Sequence, residues 1–296
     1  MSQPELFYLP PSPFSWRAKW ALDAAGISYK CSPYGFSPFY LGELPFRWRI
    51  GKLFERITAP MMLLPSEQGG GLLTDSTDIA RWADAHSSSP GQLFPADRLK
   101  EVDRWLQAAD ALLSLFRREM AEAGLKEPRI VDSMLPPGLS GLSLVVARYS
   151  VRCIFQRLAT KYKQDDAAAQ ADQVAADLAA AAAAVAAHPA KLLLPGSSQL
   201  TYAEIALASA LNKAAEVNKP LPPAAASSSA AANSTAKAAG AAAASAGDAA
   251  SAAAAETMAD CMPVVQQLLQ QFPELLQWAR ETAQQHWAAG ASMPSS

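Results

Sequence analysis

Apolar and polar positions in the first third of the chain change period repeatedly. Residues 5–9 form a short apolar run that reads as a strand. The stretch 12-SPFSWRAKWALDAAG-26 then switches to helical spacing, with Phe14, Ala18, Ala21, Leu22 and Ala25 on one stripe. Ser12 and Pro13 suit a helix start, and Gly26 suits a left-handed stop. Residues 27–32 read as a second strand, with Ile27, Tyr29 and Cys31 on one side; the helical crossover makes it parallel to the first. A long connection over 33–56 precedes a third strand in 59-APMMLL-64, a tight turn at 69–71 and a short return strand at 72–73. A helix follows from Asp75 to about residue 86. The order is β-α-β, an irregular or helical connection, then β-β-α.

Beyond the linker 87-SSSPGQ-92 the pattern is helical throughout. Apolar residues Leu99, Val102, Leu106, Leu113 and Phe116 mark a helix over 97–120, and further helices are expected over 142–162 and 165–187. The start signal 200-LTYAEIALASAL-211 combines a capping box, Thr201 with Glu204, and a hydrophobic staple, Leu200 with Ile205. Residues 219–256 are almost wholly Ala, Ser, Pro and Gly. They offer no face to bury, and most of them are expected to be a disordered insertion. A final helix pair broken at Pro273 closes the chain. These patterns divide it into an α/β domain at 1–87 and an all-helical domain at 93–296 that carries the insertion.

Composition narrows the function. With 296 residues, half of them hydrophobic, the chain has ample material for a core. A formal net charge of −2 argues against a general binder of nucleic acid or of anionic membranes. The three cysteines, Cys31, Cys153 and Cys261, lie far apart, so neither a zinc site nor a disulfide scaffold is expected. The three histidines are isolated, and no metal is expected. A strand-like run begins within five residues of Met1 without a charged-then-apolar leader, which makes a cytoplasmic protein the expectation. The Ala-rich run at 179–187 is too short and too weakly apolar to span a bilayer.

Four local features, taken in order, carry a family resemblance: 12-SPFSWR-17, Pro60 in 58-TAP-60, 75-DS-76 and 201-TYAE-204. Together they resemble the cytosolic glutathione transferases, serine-type and of an atypical branch. That family joins a thioredoxin-like domain to an all-helical one. The resemblance implies glutathione as co-substrate, a small electrophilic and partly apolar second substrate, and a possible homodimer acting in detoxification. Ser12 would lie at the glutathione sulfur. Pro60 would be cis, turning the backbone of Ala59 toward the peptide of glutathione, while Asp75 and Ser76 would take its γ-glutamyl end. The alternative is a non-catalytic binding or assembly module of the same fold, since fold does not fix function.

Each of these residues also has a plainer reading. Ser12 would simply cap its helix, Pro60 would begin a strand in the trans form, and Asp75 would share a capping box with Asp78. Capping and catalysis are compatible at Ser12, because a hydroxyl accepts through a lone pair while donating its proton. Tyr8 is a second candidate donor to sulfur and otherwise a strand aromatic. Ser15 is a weaker alternative donor and otherwise reads as a solvated helix residue, and Cys31 reads as part of the sheet core. In the basic portion 46-FRWRIGKLFER-56, Arg47, Arg49, Lys52 and Arg56 are candidates for the glycine carboxylate, or else a solvated face.

Overall fold

A four-stranded sheet organises the N-terminal part of the molecule. The structure is a computed structural model that describes residues 3–33, 47–48, 50, 58–135, 138–162, 167–219 and 257–287. Strand β1 (Glu5–Tyr8) leads into helix α1 (Pro13–Ala24) and then β2 (Lys30–Pro33), which pairs parallel to β1. Strands β3 (Met61–Leu63) and β4 (Leu72–Leu73) complete the order β2-β1-β3-β4, with β3 antiparallel to both neighbours. Helix α2 (Ser76–Ala85) follows. From there the described chain is helical: α3 (Leu99–Lys126), α4 (Pro128–Ser133), α5 (Gly141–Lys161), α6 (Ala167–Ala187), α7 (Tyr202–Ala214), α8 (Met258–Cys261), α9 (Pro263–Gln271) and α10 (Pro273–Trp287). This is a thioredoxin-like domain followed by an all-α portion.

Local chemistry fixes the joints. At the end of α1, Gly26 takes φ +67°, and the N–H of Ile27 donates back to the Leu22 carbonyl at 3.0 Å. A left-handed residue there lets the chain turn toward β2 without a Cβ clash. Gly69, Gly70 and Gly71 all have positive φ, which closes the β3–β4 turn and allows Leu64 N–H to reach the Gly71 carbonyl at 2.9 Å.

The expected capping box is present. Glu204 accepts from the Thr201 N–H at 2.7 Å and also from the N–H of Leu193 at 2.8 Å. It thereby holds the connection before α7 as well as the helix start. Ile205, Leu207 and Leu211 are fully buried, and α7 packs against α1, α3 and α10. The core is continuous across the α1–α7 contact.

Several expectations are corrected. Cys31 is exposed rather than in the core, because β2 is an outer strand of the four and, among the described residues, has β1 as its one neighbour in the sheet. The second strand begins at Lys30, since residues 27–29 carry the chain from the left-handed turn to the sheet. Helix α3 runs on to Lys126 through Gly124. The ring of Phe155 packs on that glycine so closely that a Cβ there would lie 2.1 Å from Cε2. Most of the 33–56 connection and residues 220–256 of the expected insertion lie outside the described residues. The two ends flanking 220–256 meet, with Met258 N–H donating to the Lys219 carbonyl at 3.2 Å.

Candidate functional site

The strand register gathers the candidate residues at one edge of the sheet. Phe7 is opposite Met61 in the antiparallel β1–β3 pair, so the Ala59–Pro60 bond lies beside the end of β1, where the chain turns toward Ser12. Met62 is opposite Leu73 in the β3–β4 pair. The chain leaving β4 therefore reaches the same edge at Asp75 and Ser76. Two helices, α1 and α2, begin there. Their N-termini direct partial positive charge to a common region, a setting that favours an anionic ligand.

Ser12 is the residue before α1, in extended conformation, and is buried. Its carbonyl accepts the Trp16 N–H at 3.1 Å and its own N–H donates to Leu9 at 2.9 Å. The expectation that its side chain caps the helix is corrected: the hydroxyl makes no cap hydrogen bond. The turn preceding Ser12 is secured by other side chains. Ser15 Oγ accepts the Leu9 N–H at 3.0 Å, and Trp16 Nε1 donates to the Pro10 carbonyl at 2.7 Å. Ser15 is fully buried, contrary to the expectation of a solvated residue, because it ties the turn that carries Ser12. Its signal in the sequence is its place three residues after a helix start, where side chains reach back to the preceding backbone.

The Ala59–Pro60 bond is cis, and Ala59 is half-buried. Asp75 caps α2, its Oδ1 accepting from Thr77 N–H at 2.7 Å and Asp78 N–H at 3.4 Å. A carboxylate has further lone pairs, so this exposed side chain retains accepting capacity. Ser76 is buried at the first position of α2. Behind it stands Tyr202 of α7, whose phenol burial holds in the protonated form, with Ser76 and Thr77 as neighbours.

Tyr8 ends β1 half-buried, and desolvation raises its phenol above the ordinary range, with Cys31 adding to the effect. It therefore stays protonated at neutral pH. In the basic portion, Arg47 is buried and Trp48 exposed. Arg49, Lys52 and Arg56 lie outside the described residues. No group of His, Cys, Asp and Glu among the described residues is placed to hold a metal ion.

Residues 11–86 match the family described as glutathione S-transferase, N-terminal domain. No curated protein matches the chain. Among solved structures, a glutathione transferase of Phanerochaete chrysosporium is 18% identical, with 72% of this chain and 86% of that one covered and a TM-score of 0.47. An unclassified glutathione S-transferase of Bombyx mori is 17% identical, over 74% of this chain and 81% of that one, with a TM-score of 0.47. A glutathione S-transferase of Methylobacterium radiotolerans, solved with glutathione sulfonate, is 16% identical over 72% and 80%, with a TM-score of 0.43.

Proposed function

We propose that this chain, which carries the glutathione S-transferase N-terminal domain, is a glutathione-dependent transferase or isomerase with Ser12 as the donor to the glutathione sulfur. The observation that carries the reading is the buried Ser12 hydroxyl at the start of α1, left uncommitted by the helix cap. A free thiol has a pKa of about 8.5 and is mostly protonated at neutral pH. A hydroxyl donating to sulfur, together with the α1 N-terminus, favours the thiolate, and each pKa unit gained is worth about 1.4 kcal/mol.

The peptide of glutathione fits the remaining groups. Its γ-glutamyl carboxylate meets Ser76 and the α2 N-terminus, its ammonium meets Asp75, and its backbone pairs with Ala59 as an added strand. The thiol proton leaves to water. The sulfur lone pair then forms a bond to an electrophilic carbon; where that carbon bears a halide, the halide departs with its bonding pair, and where it ends a conjugated double bond, the π pair moves away from sulfur and takes a proton from water. Substrate identity rests with residues facing α1 from the helical part.

Retention on immobilised glutathione, together with a pH titration of thiolate absorbance in the complex, tests this reading. Retention with a lowered thiol pKa supports it. Retention with an unshifted thiol identifies the non-catalytic binding module, and no retention removes both readings.

A further inference from the structure

Three cations meet between α1 and the helical part, and two of them have a counter-ion. Arg17 is paired with Asp110 at 2.5 Å. Lys213 is paired with Glu216. Arg117 of α3 has no ion pair among the described residues. Its Nη1 donates to Tyr162 Oη at 2.8 Å, and its guanidinium lies 4.4 Å from the centre of the Phe14 ring. Phe14 belongs to the first turn of α1, two residues beyond Ser12. Arg117, Phe14, Tyr162 and Lys213 are all part-buried, so the guanidinium is fixed in place while still reachable from solvent.

The arrangement leaves an unbalanced positive charge. Burial lowers the pKa of Lys213, and although Glu216 opposes this, repulsion from Lys219 and then from Arg117 adds to the lowering. An anion arriving at Arg117 would relieve that repulsion. A guanidinium held by one hydroxyl keeps further N–H donors, which suit a carboxylate in two-point fashion. The Phe14 and Tyr162 rings beside it provide a surface for a flat unsaturated group.

We infer that Arg117, with Phe14 and Tyr162, forms a subsite for an acid group on the second substrate, so that the preferred electrophiles are aromatic or otherwise planar molecules carrying a carboxylate. This rests on the transferase reading for its place in a reaction, but binding at the subsite is measurable without turnover.

The test is calorimetric titration, without glutathione, of 4-chloro-3-nitrobenzoate and the matched neutral 4-chloro-3-nitrobenzamide. The wild type should bind the benzoate at least tenfold more tightly. Arg117→Gln should bind the two alike, and Arg117→Lys should recover part of the preference, because the charge returns without the planar fork. Thermal melting of both variants near the wild-type temperature shows that the fold is kept. Equal or immeasurable affinities in the wild type, or a benzoate preference that survives in Arg117→Gln, overturn the inference. Glutathione retention of the same proteins separates the two readings. Retention without a benzoate preference removes the acid-group subsite alone. A preference without retention supports the subsite and removes the thiolate reading.

Discussion

Arg17 Nε donates to Ser209 Oγ at 3.0 Å, joining α1 to α7 across 192 residues of chain. The same guanidinium reaches Asp110 of α3 through Nη1, while its Nη2 has no partner among the described residues. Arg17 is 1% exposed and Asp110 49%. The two ends of this ion pair therefore differ in what they lose when the other is removed. Without Arg17, Asp110 is still solvated and Ser209 still donates to the Ala206 carbonyl. Without the Asp110 charge, the guanidinium is stranded in the core. Asp110→Asn should cost about 2–3 kcal/mol, below the roughly 3–5 kcal/mol for breaking a fully buried pair because Asp110 is half solvated, and Arg17→Met should cost less. Denaturant midpoints that reverse this order would refute the account.

The start of α7 gives a second ranking. Thr201→Ala removes one acceptor from the helix N-terminus and should cost about 0.5–2 kcal/mol. Glu204→Ala strands two buried N–H groups, those of Thr201 and Leu193, and should cost more than Thr201→Ala. Both losses should fall on folding, with glutathione affinity of the folded fraction intact. An unchanged melting temperature in Glu204→Ala would sink this assignment.

That capping box was legible because its chemistry is local: a Thr, a Glu three residues on and a flanking apolar pair. The left-handed Gly26 and the turn at 69–71 were legible for the same reason. Arg17 and Ser15 were not. The partners of Arg17 are set by how α1 lies against α3 and α7, which no short spacing encodes; the place of Ser15 three residues after the helix start points to a bond with the preceding backbone, but which N–H it takes is set by how the turn folds back. The exposure of Cys31 is not legible, because alternation identifies a strand's faces but not whether the strand has one neighbour or two. Ser12 was located by its Ser-Pro start. That its hydroxyl takes no part in the cap is a matter of side-chain geometry, which a Ser-Pro pair does not encode.

Glu119 carries a pH signature. Its carboxylate accepts from Val264 N–H at 3.1 Å and Val265 N–H at 2.8 Å, anchoring the start of α9 to α3. Desolvation raises its pKa, although those two bonds and Arg118 oppose the rise. The folded protein then holds this proton more tightly than the unfolded chain does. Its contribution is most favourable below the ordinary carboxylate range and declines as pH rises through the raised folded value. Stability of the wild type relative to Glu119→Gln should therefore fall between about pH 4.5 and that value, and stay level above it. A difference that grows with pH would mean that the two N–H bonds outweigh burial.

Deleting residues 221–255 should leave the melting temperature within about two degrees, equivalent to less than about 1 kcal/mol for a chain this size. The segment lacks large apolar side chains after Leu221, so its burial would offer little against the entropy of ordering. The Met258 N–H bond to Lys219 already brings the flanking ends together, so a short Gly-Ser link spans the gap. A loss of several degrees would show that the segment contributes to the fold.

Ser12 gives the most direct test of the chemistry. A side chain that capped α1 would cost about 1 kcal/mol on change to Ala. The Ser12 hydroxyl makes no such bond, so Ser12→Ala and Ser12→Gly should each shift stability by less than about 0.5 kcal/mol. Their effect should appear in the reaction instead. Loss of the donor to sulfur should raise the pKa of bound glutathione and slow conjugation near neutral pH by about 10²-fold, the scale for removing one donor from an anion. Glutathione affinity should change much less, since Asp75, Ser76 and the Ala59 backbone still hold the peptide. Tyr8→Phe should leave the rate nearly intact. Turnover that survives Ser12→Gly but disappears in Tyr8→Phe would move the donor to Tyr8. Because neither Ser12 change removes a cap bond, a rate loss without a melting shift can be assigned to the hydroxyl itself.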